Sequence, residues 1–224
     1  MIKRTLLAAL ALCALYTSAR AQNYSETGDA GQTLGTAQFT GVPGTGLTSI
    51  SGTISSGTDA DIFLIRITAP STFSASTVNL LTTLDTALFL FNSNGLAIYT
   101  NDDAAGGAAV QSTLPAGTSF TMSLAPGIYY IAISLSGNEA INLNTQLLFV
   151  GYPGGDTTAV RGAAAGVNPA SLANFNGQTG FPETGAYQIT LTSTAAVPEP
   201  STTILALAGA AGLGLWLRRR VSRA

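Results

Sequence analysis

Short apolar runs separated by turn residues fill the middle of the chain, and several of them alternate with polar residues as half-buried β-strands do. The clearest run is 61–68 (DIFLIRIT), in which Phe63, Ile65 and Ile67 share one face and Arg66 lies on the other. The run 87–91 is apolar throughout, which indicates a strand buried on both faces. No stretch between residues 22 and 196 has a convincing helical period, so the pattern predicts an all-β domain.

Turn residues and alternation place the remaining strands. Asn94-Gly95 predicts a hairpin between 87–91 and a returning strand at 96–99. The alternating side chains of 128–135 put Tyr129 and Ile131 on one face, and those of 186–192 put Tyr187 inward. Further strands are predicted at 71–78, 120–124 and 145–150. About eight short strands with turn-rich connections predict a single β-sandwich, jelly-roll-like, spanning 22–196.

The segment 151–183 interrupts this rhythm with glycine, alanine and Asn-Pro turn signals. We predict a long surface insertion there. A binding loop is the alternative, because long loops often carry function.

The N-terminus has the features of a secretory signal peptide. Lys3 and Arg4 precede an apolar run at 6–16, and Ala19 and Ala21 provide the small residues of a cleavage site before Gln22. The expected partners of segment 1–21 are the Sec translocon and signal peptidase. Its removal takes away Cys13, the sole cysteine, so the mature protein has no disulfide.

The C-terminus predicts a membrane segment. Residues 201–217 carry no charge and would form about 25 Å of helix, close to the minimum for crossing a bilayer. The basic cluster Arg218, Arg219 and Arg220 follows and is expected to stay cytoplasmic. Pro198 and Pro200 on the other side favour an extended, accessible backbone outside the membrane.

Pro198-Glu199-Pro200, the apolar segment and the arginine cluster together resemble the PEP-CTERM sorting signal of Gram-negative bacteria. The resemblance covers 197–224 and implies processing by exosortase, a membrane-embedded cysteine protease-transpeptidase. Pro198, Glu199 and Pro200 would be the sorting motif. The inner membrane would hold the precursor transiently, before release to the cell surface or extracellular matrix. A C-terminal anchor that is never cleaved is the alternative.

Charge narrows the range of partners. Three of the nine basic residues precede the signal cleavage site and four lie in the tail, which leaves Arg66 and Arg161 against eleven acidic residues. The exported part therefore has a net charge of −9, which excludes nucleic acid as a partner. Histidine is absent, so catalysis by a Ser-His-Asp triad and His-ligated metal sites are excluded too.

The acidic residues occur at the predicted strand ends. Asp59 and Asp61 open the strand 61–68, Asp85 precedes 87–91, and Asn101-Asp102-Asp103 follows 96–99. With the later Pro126-Gly127-Ile128-Tyr129-Tyr130 strand, this order resembles the bacterial pre-peptidase C-terminal (PPC) domain over about 52–136. The resemblance implies a β-sandwich that serves as an accessory module, and some relatives bind calcium.

Four of these residues are candidate calcium ligands, because calcium prefers carboxylate and carbonyl oxygens. Asp85, Asn101, Asp102 and Asp103 are expected at one edge of the sandwich through the Asn94-Gly95 hairpin. Asx turns are the alternative use of such residues and the more frequent one. Paired carboxylates such as Asp59 and Asp61 occur in glycosidases, but nothing else in the sequence indicates an active site, and we predict no catalytic residues.

Two functions remain. The first is a non-enzymatic surface or extracellular-matrix protein, sorted by exosortase and associated with exopolysaccharide or biofilm. The second is a calcium-assisted carbohydrate- or protein-binding module. Exposed Tyr99, Tyr130 or Tyr152 near the acidic edge would favour the second function.

Overall fold

A computed structural model describes residues 21–41, 44–106, 109–167, 171–177 and 183–199. This part of the protein is all-β, as the alternation predicts. Its strands are β1 Ala21–Ser25, β2 Gln38–Phe39, β3 Gly46–Ile54, β4 Ala60–Ile67, β5 Ser74–Ser76, β6 Thr86–Asn92, β7 Ala97–Asn101, β8 Thr113–Leu114, β9 Gly127–Leu135, β10 Ala140–Ile141, β11 Arg161–Gly162, β12 Asn174–Phe175, β13 Gly185–Thr192 and β14 Thr194–Ala196. One short helix, α1 (Ser119–Met122), and two 3-10 turns, Pro70–Thr72 and Pro153–Gly155, complete it.

Twelve of the strands described form a large curled sheet in the order β11-β7-β6-β9-β4-β14-β3-β13-β5-β8. All pairs along that path are antiparallel, while β1 joins β3 and β2 joins β4 in parallel. Strands β10 and β12 make a separate two-stranded sheet. The three residues of β14 lie between β4 and β3 and thereby connect the two halves of the large sheet.

The two faces of β4 contact two different apolar clusters, which explains its pattern. Phe63, Ile65 and Ile67 belong to the larger cluster, shared with inward residues of β3, β9 and β13. Ile62, on the opposite face, belongs to a second cluster that includes Phe89 of β6. The division of β4 into two faces, predicted from alternation, is therefore confirmed.

The predicted hairpin is confirmed as well. Strands β6 and β7 pair antiparallel from Leu88↔Asn101 to Phe91↔Ala97, and β6 is buried on both faces. Gly95 has φ +76° in the turn, a conformation that glycine adopts without steric cost. A side chain there would also collide with Leu34.

Local backbone geometry shortens one predicted strand and replaces two others. At 71–78, the Pro70 turn leaves only β5 extended. At 120–124, the Thr118 side chain accepts a 3.2 Å hydrogen bond from Thr121 N and starts α1. At 145–150, Thr145 has φ 59° beside a turn organised by Asn142, and isolated bridges replace a strand.

The predicted number of strands, about eight, was too low. Strand β3 was missed because its apolar residues Leu47, Ile50 and Ile54 do not alternate. Strand β14 is too short to give a periodic signal.

The segment 151–183 contributes to the interior as well as to the surface. Leu172 and Phe175 pack into the second cluster, and the Phe175 ring lies 5.4 Å from that of Phe89. Arg161 is 2% exposed. In its described residues the segment is therefore not a surface insertion alone.

Several predicted features lie outside the described residues: most of the signal peptide with Ala19, the apolar segment 201–217, Pro200, and Arg218, Arg219 and Arg220. Ala21 begins β1. Within the part of the sequence that is described, no helix is long and apolar enough to cross a membrane.

Candidate functional site

The predicted acidic residues collect at one edge of the large sheet. Strands β4 and β6 start there and β7 and β9 end there, as the pairs Ala60↔Ser134, Thr86↔Leu135 and Leu88↔Asn101 show. Asp59 and Asp85 immediately precede their strands, and Asn101 ends its own. Asp85 and Asn101, with Asp102 and Asp103 directly after it, therefore lie at one edge, as the hairpin pairing led us to expect. Asp59 joins them there.

Asp102 is the most enclosed carboxylate of this edge. It is 1% exposed, and its Oδ2 accepts hydrogen bonds from Ser136 Oγ at 2.9 Å and from Tyr152 Oη at 2.8 Å. Its Oδ1 is buried without a hydrogen-bond partner. Burial raises the pKa of Asp102 above its usual value, against the effect of the two donors.

Asp85 lies within electrostatic reach of Asp102. Its Oδ1 is also buried and unpartnered. Burial, followed by the charges of Asp102, Asp103 and Glu183, raises the pKa of Asp85 to about 6.

Asn101 and Asp103 act mainly as loop-bonding residues. The Asn101 side chain accepts from Thr113 N at 2.9 Å and donates to Thr158 O at 3.2 Å. Asp103 Oδ2 accepts a short hydrogen bond from the Thr157 hydroxyl. These hydrogen bonds join residues 12 to 57 positions apart, so they are tertiary contacts and not the Asx turns that stood as the alternative to calcium binding.

A buried ion pair adjoins this edge. Arg161 donates to Glu139 Oε1 at 2.8 Å, and its guanidinium carbon lies 3.9 Å from the centre of the Tyr152 ring. Tyr152 Oη donates to Glu139 Oε1 at 3.1 Å as well as to Asp102. The Arg161 guanidinium therefore covers one face of the Tyr152 ring. Tyr99, another tyrosine of this region, is buried and stacks on Phe120.

A second acidic cluster lies where β1, β3 and β4 approach one another. Glu26, Asp29 and Asp61 each offer a carboxylate oxygen, and these atoms lie within 4.8 Å of one another. Among the described residues this set, rather than Asp85, Asp102 and Asp103, meets that distance for three or more acidic side chains. We name Glu26, Asp29 and Asp61 the β1–β4 acidic cluster.

Asp61 is the buried member of the β1–β4 acidic cluster. It is 0% exposed, its Oδ2 accepts a 2.8 Å hydrogen bond from Tyr187 Oη, and its Oδ1 has no partner. Burial is the largest cause that raises its pKa to about 8, and the carboxyl groups of Glu26 and Asp59 add to the rise. A cation or a proton at this position would remove the repulsion between Asp61 and Glu26.

Backbone donors hold the other two members in place. Glu26 Oε1 accepts from Ala30 N at 2.8 Å, and its Oε2 accepts from Thr53 N at 3.0 Å. Asp29 Oδ1 accepts from Gly31 N at 2.8 Å and is exposed to solvent. The cluster thus runs from an enclosed aspartate to an open one.

Gly52 makes the close approach of Glu26 and Tyr187 possible. A Cβ at position 52 would overlap both Glu26 Oε2 and Tyr187 Oη. These three residues also line a surface cavity of about 450 Å³ that includes Leu81. Of the three cluster members, Glu26 borders this cavity.

The three carboxylates offer oxygen ligands of the kind that a hard cation such as calcium prefers. Calcium binds oxygen at 2.3–2.6 Å, so ligands on opposite sides of the ion stand about 5 Å apart, as carboxylates within 4.8 Å of one another can. One feature of the sequence could have indicated this site, although grouping the acidic residues by strand ends overlooks it. Asp61 shares the inward face of β4 with Phe63 and Ile65, and a carboxylate on an apolar face requires a partner.

The sorting residues follow directly on the last strand. Val197 is 8% exposed, Pro198 is half-buried and Glu199 is exposed. Val197 N donates to Thr40 Oγ1 at 3.1 Å, and Gly41 N donates to Val197 O at 3.0 Å. Val197, the residue before Pro198, is therefore hydrogen-bonded to the rest of the domain.

Residues 196–221 match the family described as the PEP-CTERM protein-sorting motif. This match supports the sorting signal inferred above and indicates an exported protein that is anchored and processed at the membrane. Exosortase is the processing partner that the motif implies. Among curated proteins, none matches the sequence.

Proposed function

We propose that this chain is a non-enzymatic surface or extracellular-matrix protein whose β-domain is released by exosortase in a Gram-negative bacterium. In this proposal the domain is PPC-like and jelly-roll-like and associates with exopolysaccharide or biofilm. One observation carries the proposal: the segment 196–221, which matches the sorting motif, continues directly from β14 at the end of a folded, strongly acidic domain. A sorted domain of this kind needs no catalytic group.

The tyrosines near the acidic edge favour this function over recognition of sugar through aromatic rings. Tyr99 is buried, and Tyr152 is covered on one face by Arg161 and hydrogen-bonded through its hydroxyl. Tyr130 packs against the second apolar cluster. None of these three offers the freely exposed ring that sugar stacking requires.

The test is Glu199→Gln in a strain that contains exosortase, with Asp156→Asn as an acidic control outside the motif. We expect the Glu199→Gln precursor to remain in the inner membrane, while wild type and Asp156→Asn are processed. Fractionation and immunoblotting report the two forms. Normal export of the Glu199→Gln protein would disprove the sorting function.

We propose a second function for the same domain, a calcium-assisted carbohydrate- or protein-binding module. A specific observation favours it: Asp61 is fully buried with an unpartnered Oδ1, and Glu26 and Asp29 bring oxygens within 4.8 Å. A bound divalent cation would offset both the unsatisfied oxygen and the repulsion between carboxylates. Glu26 and Asp29 lie in the loop after β1 and Asp61 lies on β4, so the ion would also link the end of β1 to β4.

A thermal melt with calcium and with chelator separates the two candidate clusters. We expect calcium to raise the Tm of wild type and of Asp102→Asn but not of Asp61→Asn. A calcium effect abolished by Asp102→Asn instead would move the site to the Asp85–Asp103 edge. Identical melts for wild type in calcium and in chelator would exclude both clusters as calcium sites.

A further inference from the structure

The connection between β5 and β6 presents a group of apolar side chains to solvent. Leu80 is fully exposed, Leu81 is 63% exposed, and Val78 just before them is exposed as well. Single exposed apolar residues are ordinary on a protein surface, whereas a group of them points to a contact with another apolar surface. We name residues 78–82 the leucine turn.

Polar groups on both sides of the two leucines fix the leucine turn to β13. Asn79 Nδ2 donates to Gln188 O at 2.9 Å, and Gln188 N donates to Thr82 Oγ1 at 2.9 Å. Asn79 Oδ1 also accepts from Leu81 N at 2.8 Å, which closes an Asx turn around Leu80. The outward position of the leucines is therefore built into the fold by hydrogen bonds.

The leucine turn and the start of the C-terminal tail border the same segment, residues 24–28. Leu81 lines the cavity of about 450 Å³ together with Glu26. Glu199 lines a second cavity, of about 330 Å³, together with Thr27. The tail therefore leaves the domain beside the segment whose other side faces the leucine turn.

The direction of β14 leads the chain to this end of the domain. Thr194 pairs with Ile67 and Ala196 pairs with Ile65, so β14 runs along β4 toward the start of that strand, where Asp61 lies. The opposite end of β4 is followed by the Pro70–Thr72 turn, against which α1 packs. The tail thus starts away from α1.

The connection from the described domain to the apolar tail is short. Pro200 alone separates Glu199 from the uncharged segment 201–217. Extended backbone spans at most about 3.6 Å per residue, so the Cα of Glu199 lies within about 7 Å of the first residue of that segment. When the segment is held in a bilayer, this short connection keeps the end of the domain around residues 24–28 at the membrane surface.

We propose that the leucine turn contacts the lipid bilayer while the precursor is anchored, with Leu80 and Leu81 immersed at the interface. The inference goes beyond the sorting function and rests on the membrane anchoring that the matched motif indicates. Lipid suits these side chains, because apolar groups enter the interface without directional partners. Together with the tail, the contact would hold the domain in one orientation on the membrane.

The charges around the leucine turn determine which lipid it prefers. Glu26 and Asp29 lie in the loop after β1, and the exported part has a net charge of −9. Anionic headgroups would be repelled by this charge, so an uncharged headgroup such as phosphatidylcholine is the favoured surface. The attraction then comes from apolar side chains, and salt should not abolish it.

Fluorescence quenching tests the contact on the full chain in vesicles. Trp216 is the sole tryptophan, so Leu80→Trp is made together with Trp216→Phe and reconstituted into phosphatidylcholine vesicles that contain brominated lipid. We expect the indole at position 80 to lose about half of its fluorescence, because apolar side chains at an interface lie ~5–10 Å deep. Flotation of the vesicles shows whether the chain is anchored.

Met122→Trp in the same Trp216→Phe background is the matched control. Met122 is also exposed, but it belongs to α1, which packs against the turn beyond the opposite end of β4. Its indole should keep its fluorescence. Equal quenching at positions 80 and 122 would overturn the proposed orientation.

Val78→Trp tests whether the two leucines supply the attraction. We expect its quenching to be lost when Leu80→Ser and Leu81→Ser are added, since each leucine removed should lower the ratio of docked to free domain about tenfold. Quenching that these two changes leave intact would overturn the role of the leucines. Quenching that disappears at about 1 M salt would overturn an apolar contact.

Two further outcomes separate this inference from the anchoring on which it rests. An unquenched indole in Leu80→Trp that floats with the vesicles, as when a second copy of the chain covers the leucine turn, would overturn the inference and leave the sorting function intact. A full chain that does not float with the vesicles would overturn the membrane anchoring and this inference with it.

Discussion

The hydroxyl of Tyr187 donates a 2.8 Å hydrogen bond to Oδ2 of Asp61, while Oδ1 of the same carboxylate is buried with no partner. A strand of largely apolar inward side chains therefore contains one ionisable group that is half satisfied. Such a group destabilises the fold unless a proton or a cation completes it. Asp61 is for this reason the most informative residue to change.

Asp61→Asn is expected to stabilise the protein in chelator at pH 8. The amide has nearly the same shape, still accepts from Tyr187 and carries no buried charge, so we expect a gain of about 1–3 kcal/mol in the free energy of unfolding. Urea unfolding of both proteins in chelator measures the difference. Lower stability of Asp61→Asn under these conditions would contradict the destabilising role of the buried charge.

The stability of the metal-free protein is expected to fall as the pH rises. The folded-state pKa of Asp61 is raised from 3.8 to about 8, so between those values the folded state binds a proton that the unfolded state does not. Its contribution is complete below about pH 4 and is lost as the pH rises through 8.

Asp85, with a pKa of about 6, acts in the same direction over a lower range. Asp61→Asn should therefore remove part of the fall in stability with rising pH, and the difference from wild type should be clearest between about pH 6 and 8. Melts of wild type and Asp61→Asn in chelator across this range measure it. Parallel curves for the two proteins would show that Asp61 does not titrate as described.

Gly52→Ala should disrupt the β1–β4 acidic cluster. The added methyl group overlaps Glu26 Oε2 and Tyr187 Oη, and Tyr187 is too enclosed to move freely. We expect a loss of about 1–3 kcal/mol in stability and of the calcium-dependent rise in Tm. Gly127→Ala is the control, because its nearest atoms would be 3.8 Å away. A normal calcium effect in Gly52→Ala would place the ion elsewhere.

Arg161→Met should destabilise the protein by about 3–5 kcal/mol, because Glu139 would remain as a buried charge without its cation. The double variant Arg161→Met/Glu139→Met should recover much of this loss. Arg66→Met, at an exposed position on β4, is the control and should change stability by less than about 0.5 kcal/mol. Denaturant unfolding of the four proteins measures these differences. Equal stability of Arg161→Met and Arg66→Met would contradict a structural role for the ion pair.

Strand predictions based on side-chain alternation succeeded where a strand packs against an apolar cluster. The two faces of β4, the buried strand β6 and the Asn94-Gly95 hairpin all follow from side-chain alternation and turn chemistry. They failed where a local hydrogen bond determined the backbone. The cap at Thr118 is an example, because it turns an alternating run into a helix. The short strands that complete the sheet carry too few residues to show any period.

The candidate site shows the same division. Alternation and strand order correctly placed Asp85 and Asn101 at one edge, since antiparallel pairing fixes which strand ends meet. The structure adds Asp59 to that edge. Glu26 was not grouped with Asp61, because they meet through the parallel pairing of β1 with β3. Nothing within either segment specifies that pairing.

The sequence by itself determined the sorting motif, the acidic charge of the exported part and the all-β class. Each depends on residues that act locally or through a short period. The tertiary structure alone decided that Asp61 meets Glu26, that Arg161 is buried beside Glu139, and that β14 joins the sheet up to the motif. These relations join residues distant in the sequence, and their energies depend on burial and on partners that exist only after folding.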